Sequence, residues 1–340
     1  MRGLLGVGIG LGVLLAASVG ASVAFGSEPV ALGEVYGVLG HKLGLSAAPD
    51  PIVERIVWRL RLPRVLLAVL VGGGLSIVGV GMQTLVRNPL AEPYVLGISS
   101  GASAGASLFF LGFLPPLLST ALTLPLAAFL GGLGTLVVVY AVARTATGVS
   151  VARLLLAGVA MSALMASVTA FVTFASPEPQ KLQAVLFWLL GSLHRTTWGT
   201  LPAPAAASAL GLVLMLALAR PLDALLMGDE PAHSLGVPDE TVNRGLIVLA
   251  ALLTGALVAA SGAIGFVGLI VPHAVRSVVG VSHRRLVPIS FLAGALFLVW
   301  ADVAARALLP EQQLPVGIVT ALCGVPFFLV LLRRSEYAFG

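Results

Sequence analysis

Long apolar runs separated by short polar breaks make up this chain. An α-helix needs about 20 mostly apolar residues to cross a bilayer core. Ten segments approach that length: roughly 4–26, 65–86, 94–112, 116–143, 152–175, 200–219, 244–263, 266–281, 286–308 and 314–332. The runs are continuous rather than alternating, which argues against a β-barrel. The first run, Gly3–Phe25, exceeds the roughly 7–15 residues of a signal-peptide core and reads as a membrane helix. Pro115-Pro116 splits the longest apolar block and predicts a helical hairpin. A Gly-rich kink, Ser261-Gly-Ala-Ile-Gly265, separates two neighbouring segments. The expected fold class is therefore all-α, a polytopic membrane protein of about ten transmembrane helices, with residues 1–340 as one transmembrane domain.

Composition agrees. Only 10% of residues are charged and mean hydropathy is +1.06, whereas a soluble domain carries about 25% charged residues. The 40 glycines and 21 prolines suit membrane helices, where close packing and broken helices are tolerated. Basic residues outnumber acidic ones 19 to 14 but are scattered between apolar runs, so they report membrane topology rather than nucleic-acid binding. Ten crossings put both termini on one side. With that side cytoplasmic, eleven of the 19 basic residues fall inside and eight outside, the orientation the positive-inside rule favours. The single cysteine, Cys323, lies in an apolar run and reads as a small buried hydrophobe.

Four outer basic residues, Arg55, Arg59, Arg61 and Arg64, crowd ten positions just before an apolar run. They either snorkel to lipid headgroups or form an acceptor patch for an acidic partner. On the inner side, 220–244 forms the longest polar segment. Leu222, Leu225 and Leu226 share a helical face, Gly228 ends that turn, and Asp229, Glu230 and Pro231 suit the start of a second short helix closed by Gly236 and Pro238. These helices are either connectors or a docking knob for a soluble subunit. Asn88 and Leu90 sit between Arg87 and Pro93 in a stretch whose prolines forbid continuous helix, and Gly97 and Gly101 permit close helix approach just after it. Met161, Met165 and Thr169 recur every four residues, a spacing that serves helix packing or a path wall. His273, after Pro272, reads as a structural hydrogen-bonding residue.

Several chemistries are missing. Neither Lys42 nor Lys181 follows a glycine, so no phosphate-binding loop exists and the chain is not itself an ATPase. The five histidines are dispersed, and no metal site or cofactor is expected. Asp302 is the one acid well inside an expected helix, four residues before Arg306, and an i,i+4 ion pair follows. An ion-coupled secondary transporter, the competing class, would carry ionisable groups near the bilayer centre. Their absence assigns the energy source to a partner.

The chain resembles the permease subunits of the vitamin B12/iron-chelate ABC importers. The resemblance rests on Arg61-Leu-Pro-Arg64, Arg87-Asn-Pro-Leu-Ala-Glu-Pro93, Leu96-Gly-Ile-Ser-Ser-Gly-Ala102, Arg153-Leu-Leu-Leu-Ala-Gly158, Gly228-Asp-Glu with Ser234-Leu-Gly236, Gly265-Phe-Val-Gly-Leu-Ile-Val-Pro-His273, Ala301-Asp-Val-Ala-Ala-Arg306 and Leu314-Pro-Val-Gly-Ile-Val-Thr320. It implies a multi-pass protein of a bacterial or archaeal cytoplasmic membrane. It also implies a dimer of permeases, a homodimer before a heterodimer, two cytoplasmic ABC ATPase subunits, and a periplasmic or lipid-anchored substrate-binding protein. The implied cargo is an iron chelate, a ferric siderophore or haem, with cobalamin as the alternative. By the same resemblance Arg61, Arg64 and Arg306 receive acidic groups of the binding protein. The segment 222–237, with Asp229, Glu230, His233, Ser234, Leu235 and Gly236, couples to the ATPase. Asn88 and Leu90 narrow the inner end of the path, along which Met161, Met165 and Thr169 lie. Relatives carry hydroxyl residues just before Arg153, where this chain has Val151 and Ala152.

Overall fold

The computed structural model describes residues 2–26, 28–145, 148–176, 178–309 and 314–334. The helices, in chain order, are α1 Arg2–Ala24, α2 Leu32–Lys42, α3 Pro51–Glu54, α4 Leu62–Val86, α5 Ile98–Phe110, α6 Pro116–Ala121, α7 Leu124–Ala143, α8 Val151–Phe174, α9 Pro179–Leu189, α10 Pro202–Ala217, α11 Ala219–Leu225, α12 Asp229–Ser234, α13 Asp239–Ser261, α14 Val267–Val279, α15 His283–Leu308 and α16 Val316–Arg334. A two-residue ladder pairs β1 (Arg144–Thr145) with β2 (Gly148–Val149).

All ten expected crossings are helical, but only eight helical stretches among the described residues are long and apolar enough to span a bilayer. The shortfall comes from α5 and α14, which have 13 residues each. Both start beyond irregular backbone, at Gly97 and at the 262–266 break. The expected hairpin forms between α5 and α7, with α6 inserted in its turn. The second crossing is longer than expected. Helix begins at Pro51 and continues to Val86 through a π-helical stretch, Arg55–Arg61. Charges that resembled a loop ride on that widened turn.

This second crossing is the axle of the fold. Of its most apolar window 83% is buried, against 22% for α1, α8 and α16. Burial on every side requires that neighbours come close, and glycine permits it. A Cβ at Gly72 would lie 2.2 Å from the carbonyl oxygen of Gly294 in α15, and one at Gly79 would lie 1.8 Å from that of Gly268 in α14. Gly79→Ala should therefore destabilise the protein by about 1–3 kcal/mol through overpacking, read as a lowered thermal midpoint in detergent. Gly134→Ala, in α7 with no atom within 4 Å of the new Cβ, is the control and should leave the midpoint unchanged or raise it. Equal midpoints for the two variants would refute the close-crossing account.

Candidate functional site

Antiparallel α4 and α15 place two polar clusters at opposite ends of the molecule. At one end, Asp302 is 1% exposed and holds two arginines. Arg64 Nη2 lies 2.9 Å from Asp302 Oδ1, and Arg306 Nε lies 3.1 Å from Oδ2. The Asp302–Arg306 pair is the expected i,i+4 contact, and Arg64, 238 positions away, is an added partner. Arg306 also donates to Ser22 O at 3.1 Å, to Ser22 Oγ at 2.8 Å and to Phe25 O. Arg61 donates to Val23 O and Ala24 O at 3.0 Å, and to Glu28 O. The last carbonyls of α1 have no partners within their own helix. Two cations meet them where the helix dipole is negative. All three predicted docking arginines thus tie α1, α4 and α15 together, while Arg55 and Arg59 are exposed. Lys42 pairs with Glu54 beside them. Trp198 donates to Trp58 O at 2.8 Å and stacks on its ring at 4.7 Å.

At the other end, α11 buries Leu222 and Leu225, and Leu226 is half-buried. Gly228, at φ 111°, turns the chain into α12. Asp229 opens α12, and its side chain lies outside the described set. Ala232 is fully buried, whereas Glu230, His233, Ser234, Leu235 and Gly236 are exposed. Ser234 Oγ donates to Glu230 O. Gly236, at φ 75°, donates to His233 O at 2.9 Å, and Val237 donates to Ala232 O at 3.1 Å. Those bonds form a Schellman cap, for which glycine is the usual residue.

In the turn after α4, Asn88 is exposed and Leu90 half-buried. Asn88 Oδ1 accepts from Leu90 N at 2.9 Å, which locks the turn after α4. The next two polar residues of that motif were not singled out in the sequence. Glu92 Oε1 accepts from Phe266 N at 2.7 Å, and Tyr94 OH both donates to Ile264 O at 2.7 Å and accepts from Ile264 N at 3.0 Å. They clamp the break before α14, where Phe266 is held at φ 68°, a backbone region rarely used by aromatic residues. Burial pushes the Glu92 carboxyl above its usual range, and the Phe266 N–H opposes this. The signal was a lone acid inside an apolar motif.

Other expectations shift. Thr169 is buried and its hydroxyl bonds Met165 O at 2.9 Å, with Met161 packed on the core. The Met161, Met165 and Thr169 row therefore faces inward in this protomer. The open face of α8 carries Leu156, Val159, Leu164 and Phe171 among alanines. Apolar periodicity cannot pick a face when every face is apolar. The hydroxyl nearest Arg153 belongs to Ser150, whose Oγ accepts from Arg153 N as a helix cap. Cys323 is exposed on α16, not buried. His273 packs edge-on to Phe327, and its Nδ1 is buried without a hydrogen-bond partner among the described residues. A cavity of about 960 Å³ opens between α7, α9, α10 and α13, lined by Phe129, Gln183, Phe187, His194 and Arg195 among others. None of the expected path residues lines it.

The model of the FecCD transport family matches residues 14–334. The chain belongs to the FecCD transport family. This FecCD-family chain is 42% identical over 334 residues to the cobalamin import system permease protein of Halobacterium salinarum, covering 95% of this chain and 86% of that protein. It is 43% identical to the hemin transport system permease protein of Yersinia pestis, covering 84% and 85%. A solved structure described as an inward-facing conformation of a metal-chelate type ABC transporter superposes with a TM-score of 0.83 at 31% identity, covering 97% of this chain and 99% of that one. The polytopic all-α architecture is thus the family's, and the FecCD-family chain is a permease of the ABC importer class.

Proposed function

We propose that this chain passes an iron chelate, a ferric siderophore or haem, from an external binding protein to the cytoplasm of a bacterial or archaeal cell, driven by two ABC ATPase subunits. Cobalamin is the second cargo class, favoured by the 42% identity to a cobalamin permease. The observation that carries this reading is the antiparallel pair α4 and α15. One end holds the arginine cluster, and the other grips the short helix α11, against which α12 packs. A buried axle linking two partner-facing ends suits a machine that couples an engine inside to a delivery protein outside. Arg61, Arg64 and Arg306, with Arg55 and Arg59 at the exposed edge, form the outer surface. Its three inner guanidiniums and one carboxylate leave net positive charge for an acidic partner. Residues 229–236 form the inner surface, and Asn88 with Leu90 the inner gate. A second copy of the chain packs on the open faces of α8 and α16, where the exposed alanines of α8 permit close approach. Both termini lie in the cytoplasm.

Reconstitution tests the reading. Proteoliposomes holding the permease and its ATPase should take up ferric siderophore, haemin or cyanocobalamin from the loaded binding protein only with ATP. Uptake without the ATPase would overturn it. Arg55→Glu with Arg59→Glu should slow association of the binding protein about tenfold at low salt. The thermal midpoint should not change, since both residues are exposed. An unchanged association rate at low salt would remove these two residues from the docking surface.

A further inference from the structure

The inner ends of α4 and α15 are joined to α11 by a hydrogen-bond chain that no sequence motif announced. Asp223, in α11, accepts through Oδ1 from His283 N at 2.8 Å and from His283 Nδ1 at 2.6 Å, and through Oδ2 from Ser282 Oγ at 3.3 Å. No side chain of its own segment caps the start of α15. Asp223 supplies that cap from another helix, where a carboxylate also meets the positive end of the helix dipole. The ring of His283 is fully buried and continues the chain, with Nε2 2.8 Å from Thr84 Oγ1 near the end of α4. Thr84 Oγ1 also lies 2.9 Å from Val80 O. Close by, Arg87 Nε donates to Leu225 O at 3.1 Å, at the C-terminus of α11. So α11 caps α15 with its carboxylate, while α4 caps α11 with its guanidinium.

His283 and Thr84 are buried in the middle of this chain, while Asp223 and Arg87 reach it from the surface, and a buried polar group that loses its partner is penalised. The three helix ends therefore move together or the chain breaks. α11 leads within three residues to α12, and Thr84 lies four residues before Asn88 and the turn at Leu90.

We propose that Asp223, His283 and Thr84 are positioning residues that pass movement of the ATPase-facing helix α12 to the inner gate turn. This rests on the reading of 229–236 as the ATPase-docking segment. The chain is then the joint that makes the nucleotide state legible at the far end of α4 and α15, where the binding protein docks.

The test reads that linkage without knowing the cargo. In nanodiscs holding permease and ATPase, the affinity of the binding protein is measured with and without a non-hydrolysable ATP analogue. The unaltered complex should show a change of about 5- to 150-fold, the usual range for linked sites. Thr84→Val, which keeps shape and loses the hydroxyl, should bring it within about twofold of unity with ATPase affinity unchanged, and Thr84→Ser should restore it. His283→Asn keeps a donor toward Asp223 but cannot reach Thr84, and should match Thr84→Val. Combining Thr84→Val with His283→Asn should be no worse than either alone, since both cut one chain. Undiminished linkage in Thr84→Val and His283→Asn would overturn the joint and leave the importer reading standing. Failure of the unaltered permease to bind any ATPase would overturn the importer reading and the joint with it.

Discussion

Asp302→Ala should be among the most damaging single substitutions in this protein, costing about 3–5 kcal/mol. Asp302 is 1% exposed, and Arg64 and Arg306 share its carboxylate with side chains only 12% and 11% exposed. Removing the acid leaves two guanidiniums side by side in a low-dielectric site. Breaking a buried pair is penalised because the remaining charge is unpaired, not because the pair itself was strongly stabilising. The damage should spread, since Arg306 also holds the end of α1 through Ser22 and Phe25. Thermal unfolding in detergent would read the loss, and protease cleavage near residues 26–30 would read release of α1. Asp302→Asn keeps the shape and an acceptor and should fall between. Exchanging Asp302 and Arg64 together for leucine should recover part of the loss, as apolar replacement of a whole ion pair often does. A midpoint for Asp302→Ala equal to that of the unaltered protein would mean that water reaches this cluster and screens it.

The same cluster shows what the sequence carried and what it did not. Arg306 follows Asp302 by four positions, so helical geometry alone predicts that pair. Arg64 meets the same carboxylate from 238 positions away, and no local rule reports such a contact. Crossings were legible because a bilayer demands long apolar runs. Helices α2 and α9 were not, because both have 11 residues and carry polar side chains such as Glu34, Lys42, Lys181 and Gln183. The start of the second crossing was misplaced at residue 65, since Arg55, Arg59 and Arg61 look like loop charges until the π-helical turn carries them as part of that helix. Met161, Met165 and Thr169 share a helical row with a clear period, but α8 is apolar all round, so the period left helix packing and a path wall both open, and in this protomer the row packs inward. The short helix α12 with its Gly236 cap was legible because glycine, proline and acids punctuate it, and punctuation survives without tertiary context.

Replacing residues 229–236 with a Gly/Ser linker should abolish ATPase binding while sparing the fold. Within that segment only Ala232 is buried, among residues whose side chains are described. Exposed Leu235, at 63%, and Glu230 give the knob an apolar tip and a charged flank, the mix that a cleft on a soluble subunit recognises. The anchor, α11, keeps Leu222 and Leu225 in the core and stays tied to α4 and α15. Losing an anchor residue at an interface costs about 2 kcal/mol or more, so losing the whole knob should weaken ATPase affinity at least about thirtyfold. Co-purification and calorimetric titration of the ATPase would measure this. The thermal midpoint of the permease alone should fall little, because a flexible linker removes one buried alanine and a cap. Retention of the ATPase at undiminished affinity would move the docking surface elsewhere on the inner face. The joint of Asp223, His283 and Thr84 would then need another mover. Loss of the ATPase with an unchanged permease midpoint would show that the knob serves the partner and not the fold.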